Sequence, residues 1–425
     1  MINRLKPKSE FSRNVLTLMT GTTIAQVIPI GISPILTRLY SPEDFGVFAL
    51  IMAVSLIFSS IAAGRYDMAI MLPKKNSDAI HLVYLSIIIS LSFSILLLFI
   101  LVIFSDEISV LLKNELIKPW LFTIPIIVAL TSMYSVLNVY NSRIKKFKTI
   151  KNAVITKSVV LSSIQVLFGF LKPSSFGLIS ASIVSGISSN YRLYKNITLD
   201  VKEMNLTIKK DQLFFLAKRF KNFPIYSSWS IFASSISLNI VSLFIGSFFS
   251  VVSLGFYSIM ERTLSMPMIL IGNAIGQVFF QKAAQEYKEE YRCSLTFRKT
   301  FVRLLLISIP LFIFLTLCVE DIFIFVFGEN WKVAGEYAII MLPLFMIRFI
   351  VVPLTFVTVI INKEYISMFI QIGFLILTTS IFTIFYSINY SLKDILTIYS
   401  YSASIYYLCF LIFLYLLSRR RIGEQ

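Results

Sequence analysis

The sequence predicts an all-α polytopic membrane protein with about twelve transmembrane helices in two six-helix bundles. Three observations predict it. The chain is 57% hydrophobic and only 14% charged, where soluble domains carry about 25% charged residues. Apolar runs of about 20 residues, long enough to cross a bilayer as helix, recur along its whole length. Basic residues are also segregated. Of 39 Lys and Arg, 29 fall in the tails and every second connection, 6 in the other connections and 4 inside apolar runs. This positive-inside pattern puts both termini in the cytoplasm and accounts for most of the net charge of +17, so no nucleic-acid partner is expected. The runs do not alternate as transmembrane β-strands would.

The elements follow in order. Arg4, Lys6, Lys8 and Arg13 precede an apolar run that predicts helix 15–37, too long for a signal-peptide core. Helix 45–71 follows Tyr40-Ser41-Pro42-Glu43-Asp44 and ends on Gly64-Arg65-Tyr66-Asp67. Helices 80–104, 117–140, 150–171 (holding Lys157) and 175–193 complete a first lobe, 1–194. The longest polar connection runs from Tyr191 to Lys221 and supplies a cytoplasmic linker, 195–221. A second lobe, 222–425, holds helices 222–249, 254–281 (with Glu261-Arg262), 301–319, 334–361 (with Arg348 between Pro343 and Pro353), 365–388 and 394–418. The stretch 305–327 reads either as one long helix or as a helix and a loop.

The lobes repeat. Tyr40-Ser41 followed by Phe45-Gly46-Val47-Phe48 corresponds to Phe249-Ser250 followed by Leu254-Gly255-Phe256-Tyr257 at a constant offset of 209 residues. Parallel repeats of six helices are a transporter signature, with substrate handled between the halves. The first helix of each lobe carries a polar stripe on one face. It is Thr22, Gln26, Ser33 and Thr37 in the first, and Ser228, Ser235, Asn239, Ser242 and Gly246 in the second. Helix packing and cavity lining are both open for these stripes.

Arg65, Lys157, Arg262 and Arg348 are the four intramembrane cations. An ionised group in hydrocarbon is costly, so it faces a polar cavity, a partner or the interface. Arg348, between two prolines near mid-helix, is the hardest to explain by snorkelling. Asp67 and Glu261 are the intramembrane carboxylates. Residues two apart do not share a helical face, so Arg65 and Asp67 are not expected to pair within a helix. Glu261 either neutralises Arg262 or exchanges a proton, and both carboxylates are candidates for ion coupling. Four cations against two carboxylates leave spare positive charge, which suits an anionic substrate. Arginine in particular suits phosphate, because its fork donates two parallel hydrogen bonds.

Enzyme signatures are missing. There is no P-loop and no cluster of metal-ligand spacing, and His81 is the only histidine. Cys293, Cys318 and Cys409 form no disulfide framework. No cofactor and no metal are expected.

The run from Leu36 to Leu50, LTRLYSPEDFGVFAL, resembles the first-loop signature of bacterial polysaccharide flippases of the Wzx type, in the multidrug/oligosaccharidyl-lipid/polysaccharide (MOP) exporter superfamily. Gly64-Arg65-Tyr66-Asp67 with Ala69-Ile70-Met71-Leu72-Pro73 is similar to that family's second-helix ending. Glu261-Arg262 with Pro267 and Gly276-Gln277-Val278-Phe279-Phe280 is similar to its eighth-helix motif. The resemblance implies a MOP flippase-like fold that works by ion-coupled alternating access in the bacterial inner membrane. Its substrate would be an undecaprenyl-diphosphate-linked oligosaccharide, moved from the cytoplasmic to the periplasmic leaflet for O-antigen or other surface polysaccharide. Arg65, Arg262 and Arg348 would face that substrate, and the residue reading adds Lys157, Gln26 and Asn239 as candidate cavity-lining residues. O-antigen polymerase and chain-length machinery are the implied protein partners. A drug or metabolite antiporter of the same superfamily stays open as the alternative. A membrane O-antigen polymerase or ligase fits less well, because it predicts a large outer loop.

Overall fold

The computed structural model describes residues 10–111 and 117–419. Arg4, Lys6, Lys8, Lys113, Glu115, Arg420 and Arg421 of the charge pattern lie outside them. The described chain is helical, with no strand among the described residues, because in hydrocarbon each backbone polar group must be satisfied within its own segment or a closed barrel. It divides into two compact units, Met1–Ser235 and Ile236–Gln425.

The first unit holds α1 (Glu10–Leu39), α2 (Pro42–Ser59), α3 (Tyr66–Ala69), α4 (Asn76–Ile103), α5 (Ser105–Leu111), α6 (Lys118–Leu121), α7 (Ile124–Arg143), α8 (Phe147–Leu171), α9 (Ser175–Glu203) and α10 (Lys210–Arg219). The main packing pairs are α1 with α8, α8 with α9, α4 with α7 and α7 with α9, and α2 lies against α7 and α9. Ser41 caps α2: its hydroxyl accepts from the Asp44 amide while the Asp44 carboxylate accepts from the Ser41 amide. Asp44 also accepts from the Ser175 hydroxyl at the start of α9 (3.0 Å), and Tyr40 donates to the Gln165 carbonyl on α8 (2.7 Å). The Tyr40 to Asp44 motif is therefore a corner that joins three helices.

The polar connection after α9 is built into this unit. α9 continues to Glu203 and α10 packs on α4. Gln212 donates to Asp78 and Tyr66 donates to the Ala217 carbonyl. His81 sits between the two: its Nδ1 donates to the Ser77 carbonyl (2.7 Å) and its Nε2 accepts from the Lys209 amide (3.3 Å). The lone histidine is a splice between α4 and the chain leading into α10.

The second unit takes in most of α11 (Ser228–Phe244), then α12 (Val251–Leu264), α13 (Asn273–Glu290), α14 (Ser294–Phe327), α15 (Lys332–Leu354), α16 (Phe356–Ile360), α17 (Glu364–Ser387) and α18 (Leu392–Arg419). α15 is its hub and packs on α12, α13, α14 and α18. Ser250 caps α12 by accepting from the Ser253 amide (3.0 Å), as Ser41 caps α2, so the sequence repeat is a repeat of helix starts.

Several predicted helices are corrected. The span 45–71 ends at Ser59, and the chain turns through Gly64 and Arg65, both at positive φ (57° and 59°), before α3. The span 254–281 breaks after Leu264, at Pro267 and a π-helical turn over Met268–Gly272. The two breaks fall at corresponding places in the repeat. The span 334–361 breaks after Leu354, just beyond Pro353. The span 301–319 is too short: α14 is one helix of 34 residues, about 50 Å long, and passes through Pro310 without a break.

Among the described residues eleven helices are long and apolar enough to cross a membrane, against twelve in the sequence count. The difference is α9, which is 29 residues long but rich in serine. Its hydroxyls at Ser180, Ser182, Ser185, Ser188 and Ser189 each donate to a carbonyl three residues back. They lower hydropathy without leaving polar groups unsatisfied.

Candidate functional site

The sequence singled out eight residues, and the structure gathers them by unit. In the first unit, the break after α2 sets the geometry. Two consecutive left-handed residues swing Arg65 out of the helical register and back over α3. Its guanidinium comes to 3.7 Å from the Asp67 carboxylate. This corrects the expectation that the two do not pair: that argument assumed a continuous helix, and the helix has ended. The Asp67 side chain is 6% exposed and the Arg65 side chain 20%. Asp67 Oδ2 also accepts from the Ser135 hydroxyl of α7 (3.1 Å). The other oxygen of Asp67 and the Nε of Arg65 are buried with no hydrogen-bond partner.

Lys157, half-buried on α8, reaches the same helix one residue earlier. Its amine stands 5.0 Å from the Tyr134 ring centroid, a cation–π contact. Asn138, one turn along α7, buries an Oδ1 that has no partner. Tyr134, Ser135 and Asn138 thus put a polar strip on α7 between the Arg65–Asp67 pair and Lys157. Sequence reasoning missed these three. Their spacing of one and three residues inside the apolar span 117–140 was the available signal.

In the second unit Glu261 lies on α12, which packs against α15, the helix of Arg348. The two side chains interact electrostatically, together with Tyr257 of α12 and Tyr399 of α18, yet no ion pair within 4 Å joins them among the described residues. Tyr407 of α18 is a further neighbour of Arg348. The Arg348 guanidinium lies 5.6 Å from the Phe345 ring centroid, and its Nε is buried without a partner. The cation that Glu261 interacts with is therefore Arg348 rather than Arg262. Adjacent residues on a helix point about 100° apart, so Arg262 looks elsewhere, and it makes no ion pair or hydrogen bond among the described residues. The tyrosines were also missed. Tyr257 lies four residues before Glu261 and so shares its face.

The stripes divide. On α1, Ser33 and Thr37 are buried and donate to the Pro29 and Pro34 carbonyls of their own helix, while Thr22 and Gln26 are exposed. On α11, Asn239 and Ser242 are half-buried, and Gly246, in the π-helical turn Ile245–Phe249 that follows, is buried. The inner part of the first stripe is helix packing. No group of three metal-ligating side chains occurs among the described residues.

Each unit thus holds one intramembrane carboxylate that interacts with an arginine, and among the described residues three intramembrane cations have no carboxylate within 4 Å: Lys157 in the first unit, Arg262 and Arg348 in the second. Positive charge exceeds negative within the membrane segments. The arginines at positions 65 and 348 each keep a buried donor open.

A family model described as polysaccharide biosynthesis protein matches residues 35–336. Among solved structures, the lipid II flippase MurJ in an inward closed conformation is similar with a TM-score of 0.73 and 14% identity, covering 94% of this chain and 87% of that one. A multidrug resistance MATE family transporter of the MOP superfamily, inward-facing, follows at TM-score 0.63 and 15% identity, covering 95% and 93%. A MOP superfamily transporter from Pyrococcus furiosus, described by a binding pocket of reverse polarity, gives 0.55 and 14% over 96% and 97%. No curated protein matches by sequence. At these identities the likeness is one of fold, and the fold is that of MOP-superfamily transporters.

Proposed function

The chain belongs to the polysaccharide biosynthesis protein family, and from that premise we propose that it is a flippase for a lipid-linked oligosaccharide. The reading is carried by one observation: the membrane segments hold more positive than negative charge, and Arg65 and Arg348 keep buried guanidinium donors without partners. Such donors suit phosphate oxygens, which accept the parallel hydrogen bonds of a guanidinium. Substrate of this family's pathway is a glycan under construction, and a diphosphate link to a polyprenol supplies the anionic group. We assign Arg348 and Arg65 to that group, with Arg262 and Lys157 adding charge and Gln26 and Asn239 lining the path. The carrier is undecaprenyl diphosphate and the product a surface polysaccharide such as O-antigen. Transport runs by alternating access in the bacterial inner membrane, with both termini cytoplasmic.

Glu261 and Asp67 are the proposed coupling groups. Each is a carboxylate beside an arginine, so a proton or the substrate's phosphate competes with it for the guanidinium. Bringing the anionic substrate to Arg348 frees Glu261 to change its charge.

The test is flipping of a polyprenyl-diphosphate oligosaccharide in proteoliposomes. Arg348→Ala is expected to slow flipping at least about a hundredfold, as loss of a charge-assisted contact of ~3 kcal/mol would. Arg348→Lys should retain part of the rate, and Glu261→Gln should remove its dependence on a pH gradient. Unchanged flipping by well-inserted Arg348→Ala would sink the assignment. Transport of a cationic drug with no glycan flipping would favour the antiporter reading instead.

A further inference from the structure

The second unit has a groove that none of the transport residues enters. It lies between α13 and α14, encloses about 510 Å³, and is walled by Ala274, Ile275, Val278, Phe279, Leu306 and Ile307. Three polar residues complete it: Lys282, Thr300 and Arg303. Its volume falls within the range of about 300–1,000 Å³ usual for small-molecule sites.

The polar residues have a definite place. α13 and α14 are joined by a short turn over 291–293, so they run antiparallel. Lys282 is eight residues before the end of α13 and Arg303 nine after the start of α14. At 1.5 Å per residue both lie roughly 12–14 Å from the turn, at one level on facing helices. Ala274, Ile275, Leu306 and Ile307 lie further from the turn, toward the middle of the spans. The groove is therefore basic at the end nearer the turn and apolar beyond it. That turn belongs to a connection, 282–303, with six Lys and Arg, one of those the positive-inside pattern puts in the cytoplasm.

Both cations are exposed and free of carboxylate contact within 4 Å among the described residues. The carboxylate one turn from Lys282 is Glu286, and both its oxygens are taken by the Leu295 and Thr296 amides (3.0 and 2.8 Å). No lining residue is acidic.

We propose that this groove binds an anionic phospholipid of the adjacent leaflet, with its phosphate on Lys282 and Arg303 and an acyl chain along the α13–α14 wall. Basic pockets between transmembrane helices on the cytoplasmic side select such headgroups. The site is independent of the transport reading and holds whether or not the protein flips a glycan.

The experiment is native mass spectrometry of the full-length protein titrated with phosphatidylglycerol or phosphatidylcholine, with inorganic phosphate or a polyprenyl diphosphate as competitor. Wild type is expected to retain phosphatidylglycerol in preference to phosphatidylcholine. The double variant K282Q/R303Q should weaken phosphatidylglycerol retention about tenfold or more. K288Q/K299Q removes the same charge from the same connection outside the groove and should stay within about twofold of wild type. Inorganic phosphate should leave the lipid in place. The proposal fails if wild type holds the two lipids equally, if both double variants lose phosphatidylglycerol alike, or if inorganic phosphate or the polyprenyl diphosphate displaces it. The first of these outcomes uses wild type alone, so a poorly folding variant does not shield the idea.

Discussion

Arg65 pairs with Asp67 because the helix has already ended at Ser59, inside the run the sequence reads as one continuous helix. A non-glycine residue held at positive φ costs on the order of 1–3 kcal/mol, and Arg65 is held at 59° directly after Gly64 at 57°. The pair it gains is long, at 3.7 Å, and partly exposed on the arginine side, so it falls short of the ~3–5 kcal/mol lost when one partner of a closely packed buried pair is removed. Asp67→Asn, which keeps an acceptor for Ser135, should cost about 1–3 kcal/mol, read as a lower midpoint in thermal unfolding of the purified protein. The double variant with Arg65→Gln should cost less than the sum of the single changes, because each single change strands its partner's charge and the double change leaves none. Strict additivity would mean that the two groups do not interact. Charged residues were legible in the sequence one by one, since a cation in an apolar run is visible without a structure. Their partners were not. The electrostatic interaction of Glu261 with Arg348 links residues 87 apart through the packing of α12 on α15, which no local spacing encodes.

At the scale of elements, hydropathy located the crossings because it sums over about 20 residues, and a single turn hardly alters the sum. The breaks were hidden for the same reason: Gly64, Pro267 and Pro353 each interrupt a run that stays apolar on both sides. The α13–α14 turn shows a stop and start that sequence did mark, by its charges. Glu286, on the last turns of α13, caps α14 by accepting from the Leu295 and Thr296 amides. The Cys293 amide donates to the Ser418 carbonyl of α18 (3.0 Å), and its side chain is fully buried. Burial, with the Glu286 charge nearby, pushes the Cys293 thiol from about 9 up to about 12. A raised folded-state value means the thiol stabilises the turn fully below pH 9 and loses that contribution as pH rises toward 12. At pH 8 the nucleophilic thiolate is scarce, so Cys293 should resist maleimide until the protein unfolds. Glu286→Ala removes two cap bonds, a loss of about 1–2 kcal/mol, and also the nearby charge. Cys293 labelling should then rise by about tenfold. Labelling as slow as in wild type would show that the cap does not hold the turn closed.

For the whole molecule, the open question of α9 decides the sidedness of everything after it. Eleven crossings would put the two ends of the chain on opposite sides, and twelve would put them on the same side. The basic residues favour twelve: the tails and alternate connections share 29 Lys and Arg only if α9 crosses. Its serines do not argue against crossing, since each of the five already described spends its hydroxyl on its own backbone. It is also packed between α7 and α8 rather than set apart from them, and its 29 residues span about 44 Å, more than the ~30 Å hydrocarbon layer. Single cysteines introduced at Pro173 and Asn205, in a chain whose own cysteines are changed to serine, test this in intact cells. A membrane-impermeant thiol reagent should label position 173 from outside and reach position 205 only after the membrane is opened. Labelling of both positions from the same side would remove α9 from the crossings, invert the second unit, and carry the basic α13–α14 turn, with the groove beside it, to the outer face.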